Sequence, residues 1–333
     1  MKKILIIRFS SIGDIVLTSP VIRCLKNQLP DTELHFLVKK SFAGVVHNNP
    51  YLTKVWELND NFKDLIKELK KEGFDQIIDL HKNLRSEKIK RNLKIPSFTF
   101  DKLNIEKWLL TNFKVDKLPK KHIVHRYFKA VQHLDVIYDG NGLDFFIQEK
   151  NQYDLSNFPI EIQNGYYVLV IGAAHATKAP TLELCINIIK KIKQPFILVG
   201  GKEDVDKAKK IEKEFKETKL INLVGKTNLE QSASIILQSK LVVTPDTGMM
   251  HIAAALNKPI VAIWGNTVPK FGMGPFYPEN HNMSKNIEVK GLSCRPCSKI
   301  GFDKCPKKHF KCIQNISVDD IKDAAKNLRL NIQ

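Results

Sequence analysis

The sequence predicts an α/β protein made of two doubly wound halves, each with a parallel sheet covered by helices on both faces. Short apolar runs such as 3–8 and 166–171 alternate with amphipathic segments through both halves, which is typical of parallel strands joined by helices. A turn at 139–142 and a polar, Pro-containing stretch at 151–164 separate the two series. In sheets of this kind ligands bind at the carboxyl ends of the strands, so functional residues are expected there.

The first half, residues 1–155, is predicted to be one Rossmann-like domain. The sequence Thr18-Ser19-Pro20 favours a helix start, because proline at the first helical position loses no hydrogen bond that the helix needs. The predicted elements in chain order are strand 3–8, helix 20–29, strand 34–38, strand 54–58, helix 61–72, strand 75–80, helix 104–112 and helix 122–134.

The second half, residues 156–333, is predicted to be a second Rossmann-like domain with a Cys-rich loop at 294–312. Its strands are expected at 166–171, 195–199, 220–224, 241–244 and 260–264. Its helices are expected at 181–193, 204–216, 228–238, 247–256 and 318–331.

The composition, with 43% hydrophobic and 26% charged residues, indicates a soluble globular protein. No apolar run approaches the roughly 18 residues that span a bilayer. The first residues have a basic start but an apolar run of only four residues, which indicates a first strand and not a secretion signal. A cytoplasmic location is therefore expected.

The net charge is +18, and much of it lies in one segment. Residues 82–129 contain 14 Lys or Arg and four acidic residues, a net charge of +10. Such a segment favours an anionic partner, either a membrane surface, an acidic glycolipid or nucleic acid. The segment lacks the interleaved aromatic residues of a single-strand-binding platform, so nucleic acid is the weaker partner. A lysine-rich surface that serves only solubility is the alternative.

The turn Pro245-Asp246-Thr247-Gly248 follows an apolar strand and opens an Ala-rich helix. The first backbone N–H groups of such a helix and the positive end of its dipole form a site for a phosphate or diphosphate. Gly248 lets a ligand approach the backbone, and His251 lies one helical turn after Thr247. An ordinary strand-to-helix turn, capped by Thr247 or Asp246, is the alternative.

A second loop suited to an anion follows the first strand of the same half. Residues 172–178 are mostly small, and they end in Thr177 and Lys178. A hydroxyl and a cation at these positions are suited to a diphosphate. Two such loops in one half make a phosphate-bearing ligand a better prediction than either loop alone.

In the first half, strand 3–8 runs into a small-residue loop that contains Gly13 and Asp14. Gly13 permits a tight turn, and Asp14 has the position of a general base for a substrate hydroxyl. A simple helix cap is the alternative for Asp14. The chain has no P-loop, no Gly-x-Gly-x-x-Gly after either first strand and no His-Glu-x-x-His; the missing glycine motif argues against a dinucleotide oxidoreductase.

Four of the six cysteines cluster as Cys294-x2-Cys297-x7-Cys305-x6-Cys312. In a reducing compartment this spacing favours a structural zinc over disulfides. A packed Cys-rich loop without metal is the other reading of the pattern.

These motifs together resemble glycosyltransferase family 9, the lipopolysaccharide heptosyltransferases. Residues 8–14, Arg-Phe-Ser-Ser-Ile-Gly-Asp, are similar to its N-terminal signature. Residues 245–254, with Pro-Asp-Thr-Gly at their start, resemble its donor-site motif, and 264–267 and 274–275 resemble the loop that follows. Residues 79–86 resemble its acceptor-domain loop, and the cysteine pattern resembles a tail found in many members.

The resemblance implies a GT-B fold, with the two sheets facing a central cleft, and an inverting, metal-independent transfer of a sugar from a nucleotide sugar, typically ADP-heptose. It implies Asp14 as the base that deprotonates the acceptor hydroxyl. The donor residues that it suggests are Thr177, Lys178, Glu203, Asp246, Thr247, Gly248 and His251. The acceptor-side residues are Ser11, Gly13 and Arg85.

An anionic, lipid-linked saccharide is the acceptor that the resemblance implies, and the basic segment then favours peripheral contact with the cytoplasmic face of the inner membrane. No cofactor is expected for catalysis. Two other functions fit the same layout. A nucleotide-sugar epimerase would release free nucleotide without an acceptor lipid, and a non-catalytic sugar-phosphate-binding module would bind without turnover.

Overall fold

The computed structural model describes residues 2–215 and 219–330. The chain divides into two compact units. The first contains residues up to Leu103 and Lys121–Phe146, and the second contains Asn104–Lys120 and the residues from Ile147 onward. In the part of the chain that the structure describes, no helix has the length and hydropathy needed to cross a bilayer.

The first unit is built on a five-stranded parallel sheet with the strand order β3-β2-β1-β4-β5. The order reverses between β1 and β4. Its strands are β1 (Lys2–Ile7), β2 (Thr32–Lys39), β3 (Lys54–Leu58), β4 (Gln76–Asp79) and β5 (Ser97–Thr99). Its α-helices are α1 (Ile12–Val16), α2 (Ser19–Gln28), α3 (Phe62–Glu72), α4 (Leu84–Leu93) and α6 (Ile123–Tyr127), whereas α5 (Asn104–Phe113) belongs to the second unit.

The second unit has a six-stranded parallel sheet in the order β11-β10-β9-β6-β7-β8, which reverses between β6 and β9. Its strands are β6 (Tyr167–Val170), β7 (Phe196–Val199), β8 (Leu220–Asn222), β9 (Leu241–Pro245), β10 (Ile260–Trp264) and β11 (Ser284–Glu288). Its further helices are α7 (Ile160–Gln163), α8 (Leu182–Ile192), α9 (Val205–Glu212), α10 (Leu229–Gln238), α11 (Gly248–Ala255), α12 (Lys311–Gln314) and α13 (Val318–Leu330).

Apolar strands and the apolar sides of the helices form the core of each unit. In the second unit Ile188 of α8, Ile211 of α9 and Ile321 of α13 are fully buried in one cluster with the sheet. In the first unit Leu69 of α3 and Ile89 of α4 pack in a cluster with β1 and β4. Because both faces of each sheet are covered, the strands have the nearly continuous apolar runs of the sequence.

The predicted α/β class is confirmed, and the predicted elements agree with the observed ones to within a few residues. The helix expected at 20–29 is observed as α2, with proline in its first turn. The helix expected at 122–134 is α-helical only to Tyr127 and continues as a 3₁₀ helix over Phe128–Leu134. Residue 216 and residue 331, the predicted ends of two helices, lie outside the described residues.

Several elements were not predicted. The helices α1, α4, α7 and α12, and the strands β5 and β11, have no counterpart among the predicted elements. β5 has three residues, and β11 (Ser284–Glu288) is half-exposed at the edge of its sheet. Short or exposed strands lack the apolar run that identifies a buried strand, since their neighbours in the sheet supply the order.

Arg23 of α2 holds the end of the first unit in place. Its side chain is buried and forms ion pairs with Asp139 and Asp144, and it donates a hydrogen bond to the Gly142 carbonyl at 2.9 Å. Burial opposes ionisation of Asp139, but hydrogen bonds from Arg23 and Asn141 outweigh it and lower the pKa of Asp139 to about 2.

We therefore expect Arg23→Met to destabilise the protein by about 3–5 kcal/mol, because it leaves two partly buried carboxylates without their counter-charge. Arg91→Met is the matched control, since Arg91 is exposed and pairs with Glu87 on the surface of α4; its cost should stay below about 1 kcal/mol. Urea unfolding followed by circular dichroism measures both. Equal urea midpoints for Arg23→Met and Arg91→Met would contradict the stabilising role of Arg23.

Candidate functional site

The residues predicted to carry chemistry lie at the carboxyl ends of strands in both units, next to the point where each sheet reverses. In the first unit the loop after β1 carries Ser11, Gly13 and Asp14, and the loop after β4 carries His81. In the second unit the loops after β6 and β9 carry Lys178 and Asp246 and their neighbours. A reversal of strand order opens a crevice between diverging loops, which is where ligands bind in such sheets.

Arg8 joins these loops in the first unit. Its guanidinium is buried and forms an ion pair with Asp14, with 2.7 Å between Nη2 and Oδ1. It also donates hydrogen bonds to the carbonyls of Ser10 and Leu80 and to the Tyr127 hydroxyl, at 2.8, 2.7 and 3.1 Å. Burial opposes the charge of Arg8, but Asp14 and Tyr127 outweigh it and raise the pKa of Arg8.

Asp14 has two structural roles at once. While Oδ1 binds Arg8, Oδ2 accepts hydrogen bonds from the backbone N–H and the hydroxyl of Ser11 at 3.3 and 2.9 Å. The carboxylate thus caps the start of α1, as the alternative interpretation predicted, and is also fixed at the strand end. Its side chain is 23% exposed, so solvent and ligands can reach it. Gly13 is buried beneath it in α1.

The loop after β4 is organised by Asp79, which is fully buried. Its carboxylate accepts hydrogen bonds from the backbone N–H groups of His81 and Lys82 at 3.0 and 2.8 Å, and from the Ser86 hydroxyl at 2.7 Å. Arg85 starts α4 in this loop with an exposed side chain. The structure therefore places Arg85 in the first turn of α4, beside this loop.

His81 lies in a positively charged part of this loop. Its ring contacts that of Phe9, and Lys102 donates to its carbonyl at 2.9 Å. The buried Nδ1 has no hydrogen-bond partner within the described chain. Burial, together with the charges of Arg8 and Lys102, lowers the pKa of His81 to about 4. The imidazole is therefore neutral at physiological pH.

In the second unit an ion pair joins the two loops at the reversal of the sheet. The Lys178 ammonium lies 2.7 Å from Asp246 Oδ2, and the Thr267 hydroxyl donates to the same oxygen at 2.7 Å. Both charged side chains are only 12–16% exposed. The loops after β6, β9 and β10 thus meet at one carboxylate, as the predicted convergence of the first two requires.

Thr247 is the N-cap of α11. Its hydroxyl oxygen accepts a hydrogen bond from the backbone N–H of Met249 at 3.0 Å. Thr247 is therefore a helix cap, as the alternative interpretation predicted. Gly248 is the first helical residue and is half-buried. The cap leaves the hydroxyl proton of Thr247 for a further acceptor. His251 is buried within α11, so its predicted contact with a ligand stays a prediction.

Thr177 has a structural role that the sequence did not indicate. Its hydroxyl donates to the Phe302 carbonyl and accepts from the Phe302 N–H, at 3.0 and 2.8 Å. It is buried, and its carbonyl accepts from the Asn266 N–H at 3.2 Å. A Cβ atom on Gly265 would lie 2.4 Å from that carbonyl oxygen, which explains a glycine there. Thr177 thereby links the Cys-rich loop to the loop after β10.

Glu203 lies in a short 3₁₀ helix after β7 and is exposed. Its neighbour Asp204 accepts a hydrogen bond from the Gly201 N–H at 3.1 Å and fills the space beside Gly172, where a Cβ atom would meet its carboxylate at 1.9 Å. The loops after β6 and β7 are therefore held close together. Glu203 is exposed beside these loops, and its contact with nucleotide hydroxyls stays a prediction.

The four clustered cysteines carry free thiols, and no three of their sulfur atoms lie within 4.8 Å of one another. Burial raises the pKa of Cys312 to about 11, helped by the neighbouring thiols. Cys305 differs: burial opposes its ionisation, but four backbone N–H groups of residues 307–310 outweigh this and lower its pKa. The Cys294 sulfur lies 3.8 Å from His309 Nε2.

Within the described residues, only Glu33, His35 and Glu72 bring three metal-ligating atoms within 4.8 Å of one another. The Trp56 indole N–H donates to His35 Nδ1 at 3.0 Å, so the neutral ring carries its proton on Nε2. Lys3 binds both carboxylates, at 3.5 and 2.8 Å. This group is thus a hydrogen-bonded ion cluster, and Nε2 has no lone pair for a metal.

Comparison with known proteins gives one family. The model of glycosyltransferase family 9 (heptosyltransferase) matches residues 62–301. The lipopolysaccharide heptosyltransferase 1 of Campylobacter coli is 27% identical to the chain, over 98% of each sequence.

Two solved structures have the same architecture. The glycosyltransferase family 9 protein of Veillonella parvula superposes with a TM-score of 0.77 at 21% identity, over 99% of this chain and 98% of that one. The ADP-heptose lps heptosyltransferase II of E. coli superposes with a TM-score of 0.73 at 20% identity, over 99% of both chains. These likenesses show the GT-B fold.

The lowered pKa of His81 makes stability depend on pH. Because the pKa falls from 6.5 to about 4 on folding, the folded chain binds fewer protons than the unfolded chain between these values, and stability decreases as the pH falls from 6.5 to 4. We expect His81→Asn to remove about 2 kcal/mol of this dependence, allowing for screening at the partly exposed ring. His281→Asn, at an exposed loop position, should retain it. Thermal unfolding across this pH range is the measurement, and parallel pH curves for the wild type and His81→Asn would refute the effect.

Proposed function

Because this chain belongs to glycosyltransferase family 9 and is a glycosyltransferase, we propose that it transfers heptose from ADP-heptose to a lipid-linked saccharide acceptor of the lipopolysaccharide core. The observation that carries the proposal is the meeting of Lys178, Asp246 and Thr247 at the reversal of the second sheet. A relative that covers the whole chain is named as a lipopolysaccharide heptosyltransferase, which supports the sugar and the acceptor class.

In this proposal the donor diphosphate binds at the start of α11. The Thr247 hydroxyl and the first N–H groups of α11 donate to its oxygens, and the backbone at Gly248 permits close approach. Lys178 supplies the positive charge. Asp246 acts as a positioning residue, because a carboxylate beside a diphosphate would repel it unless paired with Lys178. The proposal also includes contacts of Thr177, Glu203 and His251 with the donor.

The transfer is a single displacement with inversion. The acceptor hydroxyl oxygen forms a bond to the anomeric carbon while the bond from that carbon to the diphosphate breaks. Asp14 accepts the hydroxyl proton, and ADP departs with the electron pair of the broken bond. Asp14 is suited to this role because Arg8 and Ser11 fix its carboxylate while leaving it partly exposed. In this proposal the transfer is metal-independent, and the N–H groups at the start of α11 stabilise the charge that develops on the departing diphosphate.

The acceptor is proposed to bind beside the loops after β1 and β4. Ser11 and Gly13 would frame the attacking hydroxyl, and Arg85 would contact an anionic group of the acceptor. Exposed cations such as Lys82 surround this loop, which suits a phosphorylated saccharide. We place the enzyme in the cytoplasm, in peripheral contact with the inner membrane, where a lipid-linked acceptor is reached.

We also propose a structural zinc in the Cys-rich loop. The donor set of Cys294, Cys297, Cys305 and Cys312 has the softness that zinc prefers. The lowered pKa of Cys305 fits a thiolate ligand, and His309 lies near Cys294. The zinc would clip this loop and take no part in transfer.

Replacement of Asp14 tests the base. Asp14→Asn should lower kcat by about a hundred- to ten-thousandfold while donor affinity is unchanged, because the amide retains the shape but cannot take the proton. Asp64→Asn is a matched control: Asp64 is also the third residue of a helix and is bonded to its N-cap, Asn61. Single-turnover rates and calorimetric donor affinity are compared. Full turnover by Asp14→Asn would exclude Asp14 as the base, and hydrolysis of donor without acceptor would favour another reaction class.

Replacement of Lys178 tests the donor site. Lys178→Met should weaken ADP binding by about ten- to a hundredfold, since a charge-assisted contact to the diphosphate is lost. Lys190→Met is the control, because Lys190 forms an exposed ion pair with Glu214. Isothermal titration gives both affinities. If Lys178→Met binds ADP as tightly as the control does, the diphosphate lies elsewhere.

Elemental analysis of the purified protein tests the metal. We expect about one zinc per chain, lost in the variant Cys305→Ser and retained in Cys24→Ser, since Cys24 is a buried core thiol of α2. A chelator that removes the zinc should lower the melting temperature. Protein purified under reducing conditions without stoichiometric metal would leave the packed Cys-rich loop as the correct reading.

A further inference from the structure

The helix α5 has its apolar residues on the outside. Ile105, Trp108 and Phe113 are 71%, 53% and 60% exposed, and the rings of Trp108 and Phe113 contact each other with centroids 5.0 Å apart. A surface helix ordinarily turns such residues toward the core and polar residues toward water. Three large apolar side chains on one exposed face of a short helix therefore mark an interaction surface.

This helix is held rigidly in the second unit. On its inner face Leu110 packs with Val268 and Phe271 in a buried cluster. At its C-terminal end the Lys114 ammonium donates to the carbonyls of Thr111 and Pro296, both at 2.7 Å. At its N-terminal end Lys299 donates to the Asn104 side chain at 3.4 Å. The exposed apolar face therefore belongs to a well-packed helix and not to a frayed segment.

The Cys-rich loop adds to the same surface. Ile300 is 56% exposed and directly follows Lys299, which contacts the start of α5. We call the exposed side chains Ile105, Trp108, Phe113, Val115 and Ile300 the apolar patch of the second unit.

The two segments that carry the apolar patch are rich in positive charge. Residues 104–120 and 294–312 together contain ten Lys or Arg and three acidic residues. One of the acids, Asp116, is paired with Lys270 at 2.9 Å. The exposed lysines of these two segments are Lys114, Lys117, Lys120, Lys299, Lys304, Lys307, Lys308 and Lys311.

We propose that the apolar patch docks the second unit on an anionic lipid bilayer. Tryptophan and phenylalanine on a rigid helix insert at the level of the lipid headgroups, while the lysine stems let their ammonium groups reach the phosphates. The surrounding lysines gain from the negative surface potential of the membrane. An acidic protein would satisfy the lysines but would need a matching apolar groove. A bilayer accommodates both the apolar side chains and the lysines of this surface.

The role of this docking surface rests on the proposed function, because docking on a bilayer would bring the enzyme to a lipid-linked acceptor. A short series of contacts connects the docking surface to the residues before α11. Leu110 of α5 packs on Val268, which follows Thr267, and the Thr267 hydroxyl binds Asp246. Membrane docking is measured without donor or acceptor, so either proposal can fail alone.

Tryptophan fluorescence tests the docking. Trp108 is 53% exposed, whereas Trp56 and Trp264 are 7% and 1% exposed, so quenching by lipids brominated in the acyl chain reports on Trp108. We expect the full-length protein to bind vesicles of phosphatidylcholine with phosphatidylglycerol, but not phosphatidylcholine alone, with quenched emission. Trp108→Phe should bind equally and lose the quenching.

A double variant separates insertion from charge attraction. Ile105→Ser with Phe113→Ser should lower vesicle partition about tenfold, with ADP affinity unchanged. Ile160→Ser is the control, since Ile160 is 61% exposed elsewhere in the same unit. Binding without quenching, equal partition of the double variant, or a change in oligomeric state in place of a change in partition would each overturn the proposal.

Discussion

The ion pair between Lys178 and Asp246 is the interaction on which the second unit's site depends. It connects the loops after β6 and β9 at the point where the sheet reverses, and Thr267 extends the connection to β10. A reversal of strand order separates the loops on its two sides, so a bond between them defines the shape of the crevice. The pair also keeps an acidic side chain compatible with an anionic ligand, since Lys178 neutralises it before any diphosphate binds.

The first unit has the same arrangement with a different cation. Arg8 ends β1 and binds Asp14 on its own loop, Leu80 after β4 and Tyr127 on α6. In each unit, therefore, a cation near the strand end holds the carboxylate that the sequence marks as functional. Groups fixed in this way need little rearrangement during reaction, and preorganised charge is the largest contribution to rate in many enzymes. Helix α5 is also held in a fixed orientation, since the packing of its inner face on the second unit keeps its apolar side chains exposed.

The sequence predicted the parts that depend on local pattern. Apolar runs located the strands, and the polar residues that follow them located Asp14, Lys178 and Asp246 at strand ends. It did not predict parts that depend on distant partners. Arg8 binds groups 72 and 119 residues away, and Thr177 binds a backbone 125 residues away. The pattern at 104–112 predicted a helix but not its membership in the second unit, because that depends on Val268 and Phe271.

Backbone amide exchange measured with and without ADP shows whether a nucleoside diphosphate binds at the start of α11. Amides that bind a ligand exchange more slowly. Bound ADP should slow exchange in peptides that cover residues 172–178 and 244–250 and leave exchange unchanged in peptides that cover residues 8–16. Protection that is confined to other loops, or no protection at saturating ADP, would contradict binding at the start of α11.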